Sequence, residues 1–90
     1  MMSAEEQRQV VKQFLDDLET VVKKTWGALD IKTLLISPLL YACLRTGDEI
    51  TFANGEAYCA GYKIKVTSDW SGIQYSYEMI PPNKEETAGE

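Results

Sequence analysis

The sequence contains no histidine among its 90 residues and only two cysteines, Cys43 and Cys59. Histidine is the commonest transition-metal ligand and the commonest general base near neutral pH, so its absence removes the usual routes to a metal centre and to nucleophilic catalysis. Two cysteines cannot complete a four-ligand zinc site, and the carboxylates do not alternate as they do in a calcium loop. We therefore expect no metal, no cofactor and no enzymatic activity.

The cysteines are also too few for a disulfide-rich secreted scaffold, so we interpret them as free, buried thiols, with a single disulfide as the alternative. The N-terminus carries Glu5 and Glu6 where a secretion signal would carry basic residues. The longest apolar stretch, residues 34–44, is interrupted by Ser37 and Pro38 and is too short to span a bilayer. We expect a cytoplasmic protein that does not associate with membranes.

The net charge is −5, from 14 acidic and 9 basic side chains. This balance argues against direct nucleic-acid binding, because basic residues supply most of that affinity. It is compatible with an acidic protein that occupies a basic, nucleic-acid-binding surface on another protein. The alternative interpretation is that the charge serves only solubility.

Two helices are predicted from the capping residues at their N-termini and the glycines at their C-termini. Ser3 and Glu6 form a capping box, after which apolar residues recur at helical spacing until Gly27, where we expect the first helix to end. Ser37 followed by proline announces a second helix, which stops at Gly47. Between the helices, residues 30–36 form either a helical turn or a short buried strand.

From residue 48 onward the apolar residues alternate, which predicts three antiparallel strands. A three-residue loop at 53–55 would place Ile50 opposite Tyr58, and a turn at 68–72 would pair Val66 with Ile73. The predicted fold is α+β, with two N-terminal helices packed on one face of a three-stranded antiparallel meander sheet in two layers. Residues 1–80 form the single domain, and residues 81–90 form a disordered acidic tail.

The tryptophan in the second turn is the first candidate for partner binding. Trp70 stands next to Asp69, where strand pairing does not require an aromatic residue. It either folds back on the core edge or serves as a binding hot spot, because exposed tryptophans often do. The acidic flank of the first helix, formed by Asp16, Asp17 and Glu19, is the second candidate, whereas Trp26 is predicted to belong to the core.

The tyrosines suggest a different kind of site. In the predicted register Tyr58, Tyr62, Tyr75 and Tyr77 share one sheet face, and Tyr41 lies on the second helix. A hydrophobic surface ringed by hydroxyl groups would suit a small ligand. The alternative is a tyrosine-rich core whose hydroxyl groups reach solvent at its edge.

The second helix is apolar on nearly every side, and one sheet face with one companion helix cannot easily cover it. We therefore predict a homodimer that associates through helical residues, namely Leu39, Leu40, Leu44 and Val11.

These features together predict a small acidic, non-enzymatic module that binds another protein. The preferred hypothesis is an inhibitor of a larger, basic nucleic-acid-processing protein, of the phage-style anti-CRISPR or anti-restriction type. The alternative is a homodimeric structural, assembly or adaptor subunit. The third hypothesis is a small-ligand sensor that uses the tyrosine-lined face.

Overall fold

The computed structural model describes residues 2–81 and contains two helices and five strands. In chain order these are α1 (Ala4–Lys24), β1 (Asp30–Ile36), α2 (Pro38–Thr46), β2 (Ile50–Ala53), β3 (Glu56–Cys59), β4 (Tyr62–Val66) and β5 (Tyr75–Ile80). The strands form one sheet in the order β2-β3-β4-β1-β5. The α+β class is confirmed. The predicted tail lies outside the described residues except for Pro81.

The predicted three-stranded antiparallel meander is wrong, because the sheet has five strands and is mixed. The segment left undecided between a helical turn and a strand is β1, which pairs parallel with β4 and antiparallel with β5. Ile36 is therefore the partner of both Val66 and Tyr75, and the predicted pairing of Val66 with Ile73 does not form.

The predicted hairpin register is also wrong, because the turns are shorter than expected. Asn54 and Gly55, with φ of 55° and 79°, form a two-residue turn that places Ile50 opposite Cys59. A second tight turn at Ala60 and Gly61, with φ of 53° and 86°, divides the predicted long middle strand into β3 and β4. Paired positive φ values match the twist of a two-residue hairpin, but alanine rarely adopts them, so the second turn had no clear sequence signal.

Both helices pack with the sheet around one hydrophobic core. Its buried members are Phe14 and Leu18 from α1, Leu40 and Leu44 from α2, and Leu34, Ile36, Cys59 and Ile64 from the sheet. The Phe14 ring meets the Tyr75 ring edge-on, with centroids 4.9 Å apart. Leu40 and Leu44 of α2 are therefore buried in the same core as the sheet residues.

The two helix starts follow the sequence signals, whereas the end of α1 does not. The Ser3 hydroxyl accepts from the Glu6 amide at 3.1 Å, and the Glu6 carboxylate accepts from the Ser3 amide at 2.8 Å, which confirms the capping box. The helix ends at Lys24, with Thr25 as its C-cap, and Gly27 lies in the turn that follows. The last predicted residues of α1 are therefore outside the helix.

Ser37 caps α2 and also joins three parts of the fold. Its side chain is fully buried, accepts from the amides of Leu40 at 3.3 Å and Gln74 at 3.2 Å, and donates to the Gly72 carbonyl at 2.7 Å. Its own amide donates to the Gln74 carbonyl at 3.0 Å. One serine thus connects the end of β1, the start of α2 and the loop that leads into β5.

We predict that Ser37→Ala lowers the free energy of unfolding by about 3 kcal/mol, because it removes a cap and leaves the buried Leu40 amide and part-buried groups of Gly72 and Gln74 without partners. The matched control is Ser3→Ala, an exposed cap whose loss should cost about 1 kcal/mol. Urea denaturation of both variants measures the difference. Equal costs would show that the contacts of Ser37 with the loop contribute nothing.

Candidate binding surface

A tight turn displays Trp26 to solvent at the end of α1. The Thr25 carbonyl accepts from the amides of both Ala28 and Leu29, at 2.9 and 3.0 Å, and the Thr25 hydroxyl donates to the Val21 carbonyl at 2.9 Å. These bonds close the turn on itself and leave the Trp26 residue 82% exposed. The prediction that Trp26 belongs to the core is wrong, because the helix ends before it and the turn leaves its side chain in solvent.

Further apolar residues surround this tryptophan, and we call Trp26, Leu29 and the cavity beside them the Trp26 patch. The cavity has a volume of about 390 Å³ and is lined in part by Val22, Ile31 and Tyr62. Leu29 is itself exposed. Exposed apolar side chains gathered at one end of a small protein mark interaction sites more often than scattered ones do.

The charges near the Trp26 patch have both signs. Lys23 and Lys24 occupy the last turn of α1, where they complement the helix dipole, and Asp30 lines the cavity. Lys23 also contacts Glu19 one helical turn earlier, at 3.5 Å. An apolar centre with a polar, charged rim is the usual anatomy of a protein–protein interface.

The turn predicted to engage a partner lies at the other end of β1. Trp70 is half-buried and Asp69 is exposed, in the loop that crosses from β4 to β5. Ser37 holds the later part of this loop against the sheet. Trp70 and Asp69 therefore remain at least partly accessible, and their predicted role in partner binding stays a prediction.

The acidic flank of α1 has two different environments. Asp16 is exposed and lies 3.5 Å from Lys12, and Glu19 is exposed. Asp17 is half-buried and accepts hydrogen bonds from the Tyr75 hydroxyl and from the Gln13 amide. Asp17 thus ties α1 to the sheet, and its carboxylate is less available to a partner than those of its neighbours.

The residues predicted for self-association separate into buried and accessible sets. Leu40 and Leu44 are fully buried, so in this fold they cannot contact a second copy. Leu39 is 42% exposed, and Val11 lines a groove of about 560 Å³ between α1 and α2. Part of the apolar character of α2 that suggested a dimer is explained by the burial of Leu40, Cys43 and Leu44 in the core.

The predicted tyrosine-lined face does not form. Cys59 points into the core and pairs with Ile50 and Tyr62, so the adjacent residue Tyr58 points to the opposite face. Tyr62, Tyr75 and Tyr77 pack against the core on the helix side. Within residues 2–81 the buried Tyr77 hydroxyl has no hydrogen-bond partner.

Both cysteines are buried, as predicted. Burial, followed by the nearby charge of Glu49, raises the pKa of the Cys59 thiol to about 11, and burial also raises the pKa of Cys43. Thiols with raised pKa values are poor nucleophiles at neutral pH, because the thiolate is the reactive form. Among the described residues, no three potential ligands from His, Cys, Asp and Glu are grouped to hold a metal.

The sequence interpretation missed the Trp26 patch, although one signal was present. A tryptophan immediately before a glycine at the end of a helix can be carried out of the helix by the turn. The apolar stripe of α1 favoured the opposite interpretation, because Trp26 continues its spacing from Val22. The position of the C-cap, at Thr25, decides whether Trp26 is buried on the apolar stripe of the helix or exposed on the turn after it.

No family model, curated protein or solved structure matches this chain. Within residues 2–81, neither helix has the length and apolar character needed to cross a membrane.

The contact between Tyr75 and Asp17 should make stability depend on pH in the alkaline range. Burial, and then the hydrogen bond to Asp17, raises the pKa of Tyr75 above its ordinary value. The neutral phenol is thus favoured in the folded state, so its contribution is complete below a pH of about 10 and is lost as the pH rises further. We predict that Tyr75→Phe costs about 1 kcal/mol at pH 8 and that this cost shrinks towards pH 11.

Denaturation midpoints of the wild type and Tyr75→Phe at pH 8 and pH 11 measure this effect. The difference between the two proteins cancels contributions from other groups, including Cys59. Tyr58→Phe is the matched control, because that ring lies on the other face of the sheet. A cost of Tyr75→Phe that is the same at both pH values would contradict the prediction.

Proposed function

We propose that this protein is a non-catalytic protein-binding module that engages its partner through the Trp26 patch. The observation that carries the proposal is the 82% exposure of Trp26 on a turn closed by its own hydrogen bonds. Tryptophan is among the residues most enriched at binding hot spots. A rigid display also reduces the entropy lost when the ring is buried by a partner.

The size of the tryptophan ring makes it the dominant anchor of this surface. Burial of an exposed tryptophan removes about 200 Å² from water, which is worth roughly 5 kcal/mol before the costs of association. Leu29 and the adjacent cavity extend the apolar area around the ring. The patch therefore has an apolar centre that can supply affinity, while Lys23, Lys24 and Asp30 supply orientation.

In a narrower form of the proposal, the partner is a basic nucleic-acid-processing protein, and this chain inhibits it. Its support is the net charge of −5 and the exposed carboxylates of Asp16, Glu19 and Asp69. Glu19 lies on α1 and contacts Lys23 in the last turn of the helix, next to the turn that carries Trp26, so an acidic side chain can adjoin the apolar anchor. The lysines beside Trp26 oppose this form, because they would repel a basic surface.

The experiment begins with partner capture from native cells, using the wild type, Trp26→Ala and Trp70→Ala as parallel baits. A protein retained by the wild type and lost with Trp26→Ala is then purified for titration calorimetry. We predict that Trp26→Ala weakens binding about thirtyfold, the effect of truncating a hot-spot residue worth 2 kcal/mol. Its stability should change by less than about 0.5 kcal/mol, because the ring makes few contacts within the chain.

Two controls test whether the effect belongs to the Trp26 patch. Leu39→Ala removes an exposed apolar side chain from α2 and should leave affinity unchanged. Trp70→Ala tests the other tryptophan once circular dichroism has shown that the variant folds. Normal binding by Trp26→Ala, with loss of binding by folded Trp70→Ala, would overturn the proposal and place the contact in the loop before β5.

A further inference from the structure

The groove between α1 and α2 is a second surface, distinct from the Trp26 patch. Its floor is apolar and includes Val11, Leu15 and Cys43, and small residues at Ala4 and Gly47 allow close approach of another chain. Its volume of about 560 Å³ is larger than that of the cavity beside Trp26. Half-buried Val11 and Leu15 remain partly open to solvent along it.

The charges along the exposed side of α1 are arranged in two blocks. Arg8 and Lys12 lie in its first half, and Asp16 and Glu19 lie further along. Arg8, Lys12, Leu15 and Glu19 are spaced by four or three residues, so they form one stripe along the helix. Glu5 lies one turn before these two blocks and Lys23 one turn after them, so the signs along α1 run negative, positive, negative, positive. Because this order inverts about the middle of the helix, the stripe is complementary to itself when it is turned end to end.

We propose that the groove is occupied by α1 of a second copy of this chain, running antiparallel to the first. In this two-fold arrangement Arg8 of one copy faces Glu19 of the other. Lys12 then lies opposite Leu15 and beside Asp16 of the other copy. Each of these pairs occurs twice, because a two-fold interface uses the same surface on both chains.

A charged residue beside the groove also favours binding of the second copy's α1. Glu49 lies on the α2 side next to Gly47, where it adds negative charge close to the position that Lys12 of the second copy would reach. Val11 and Leu15 lie near the two-fold axis, where the two copies would bury them together. A small domain gains stability from such association, because its own core is limited.

The present argument for self-association differs from the one drawn from the sequence. It rests on α1 and the groove, and α2 contributes only a wall. The Trp26 patch lies beyond the last turn of α1 and is not used, so the dimer and the partner contact can be tested separately.

The test is a charge-swap cycle measured by sedimentation equilibrium. Arg8→Glu places a second acidic residue opposite Glu19, and Glu19→Arg places a second basic residue opposite Arg8. We expect each single variant to raise the dimer dissociation constant about tenfold, because the altered pair occurs twice. The double variant restores opposite charges across the interface and should return the constant to within about threefold of the wild type.

Lys65→Glu is the matched control, since it makes a similar charge change on an exposed strand residue and should not alter association. Circular dichroism checks the fold of each variant, and all substituted side chains are exposed. A wild-type protein that stays monomeric at high micromolar concentration would overturn the proposal. A double variant that remains as weak as the single variants would also overturn it, because the charges would not meet across the two-fold axis.

Discussion

The hydroxyl of one buried serine connects the second helix to the loop that leads into the last strand. Buried polar groups need partners, and Ser37 uses its side chain for three hydrogen bonds, to the start of α2 and to both sides of the loop before β5. These bonds fix the start of α2 and add to the ladder that pairs β5 with β1. The core cluster depends on both, because Leu40 and Leu44 reach it from α2 and Tyr75 packs against it from β5.

The helices could be predicted because their signals are local. A capping box, a serine–proline pair and an apolar stripe act within one or two turns of the chain. The sheet could not be predicted in the same way, because the partners of β1 lie far away in sequence. Leu34 pairs with Ile64 and Tyr77, and no pattern within residues 30–36 indicates that two strands will flank it. The turn between β3 and β4 could not be predicted either, because it places an alanine, Ala60, at positive φ.

The two tryptophans were assigned opposite roles for a physical reason. A helical stripe predicts burial only as far as the helix continues, and Thr25 ends α1 one residue before Trp26. A loop is expected to expose its aromatic residue unless something ties it down, and Ser37 provides that tie for the loop that contains Trp70. The assignment of Trp26 to the core failed because the helix ends before it, whereas the role predicted for Trp70 stays a prediction. The carboxylates of α1 were predicted as a group, but only the structure separates Asp17, which anchors β5, from its exposed neighbours.

The central position of β1 also determines the order in which the chain can fold. Both neighbours of this strand, β4 and β5, follow it in sequence, so β1 has no partner while only the first 60 residues have left the ribosome. The helices and the β2–β3 hairpin can form early, because their contacts are local. The core closes only when the last strand arrives, and until then the apolar residues of β1 stay exposed. The interval before β5 emerges from the ribosome is therefore the step at which this chain is most exposed to aggregation and to chaperones.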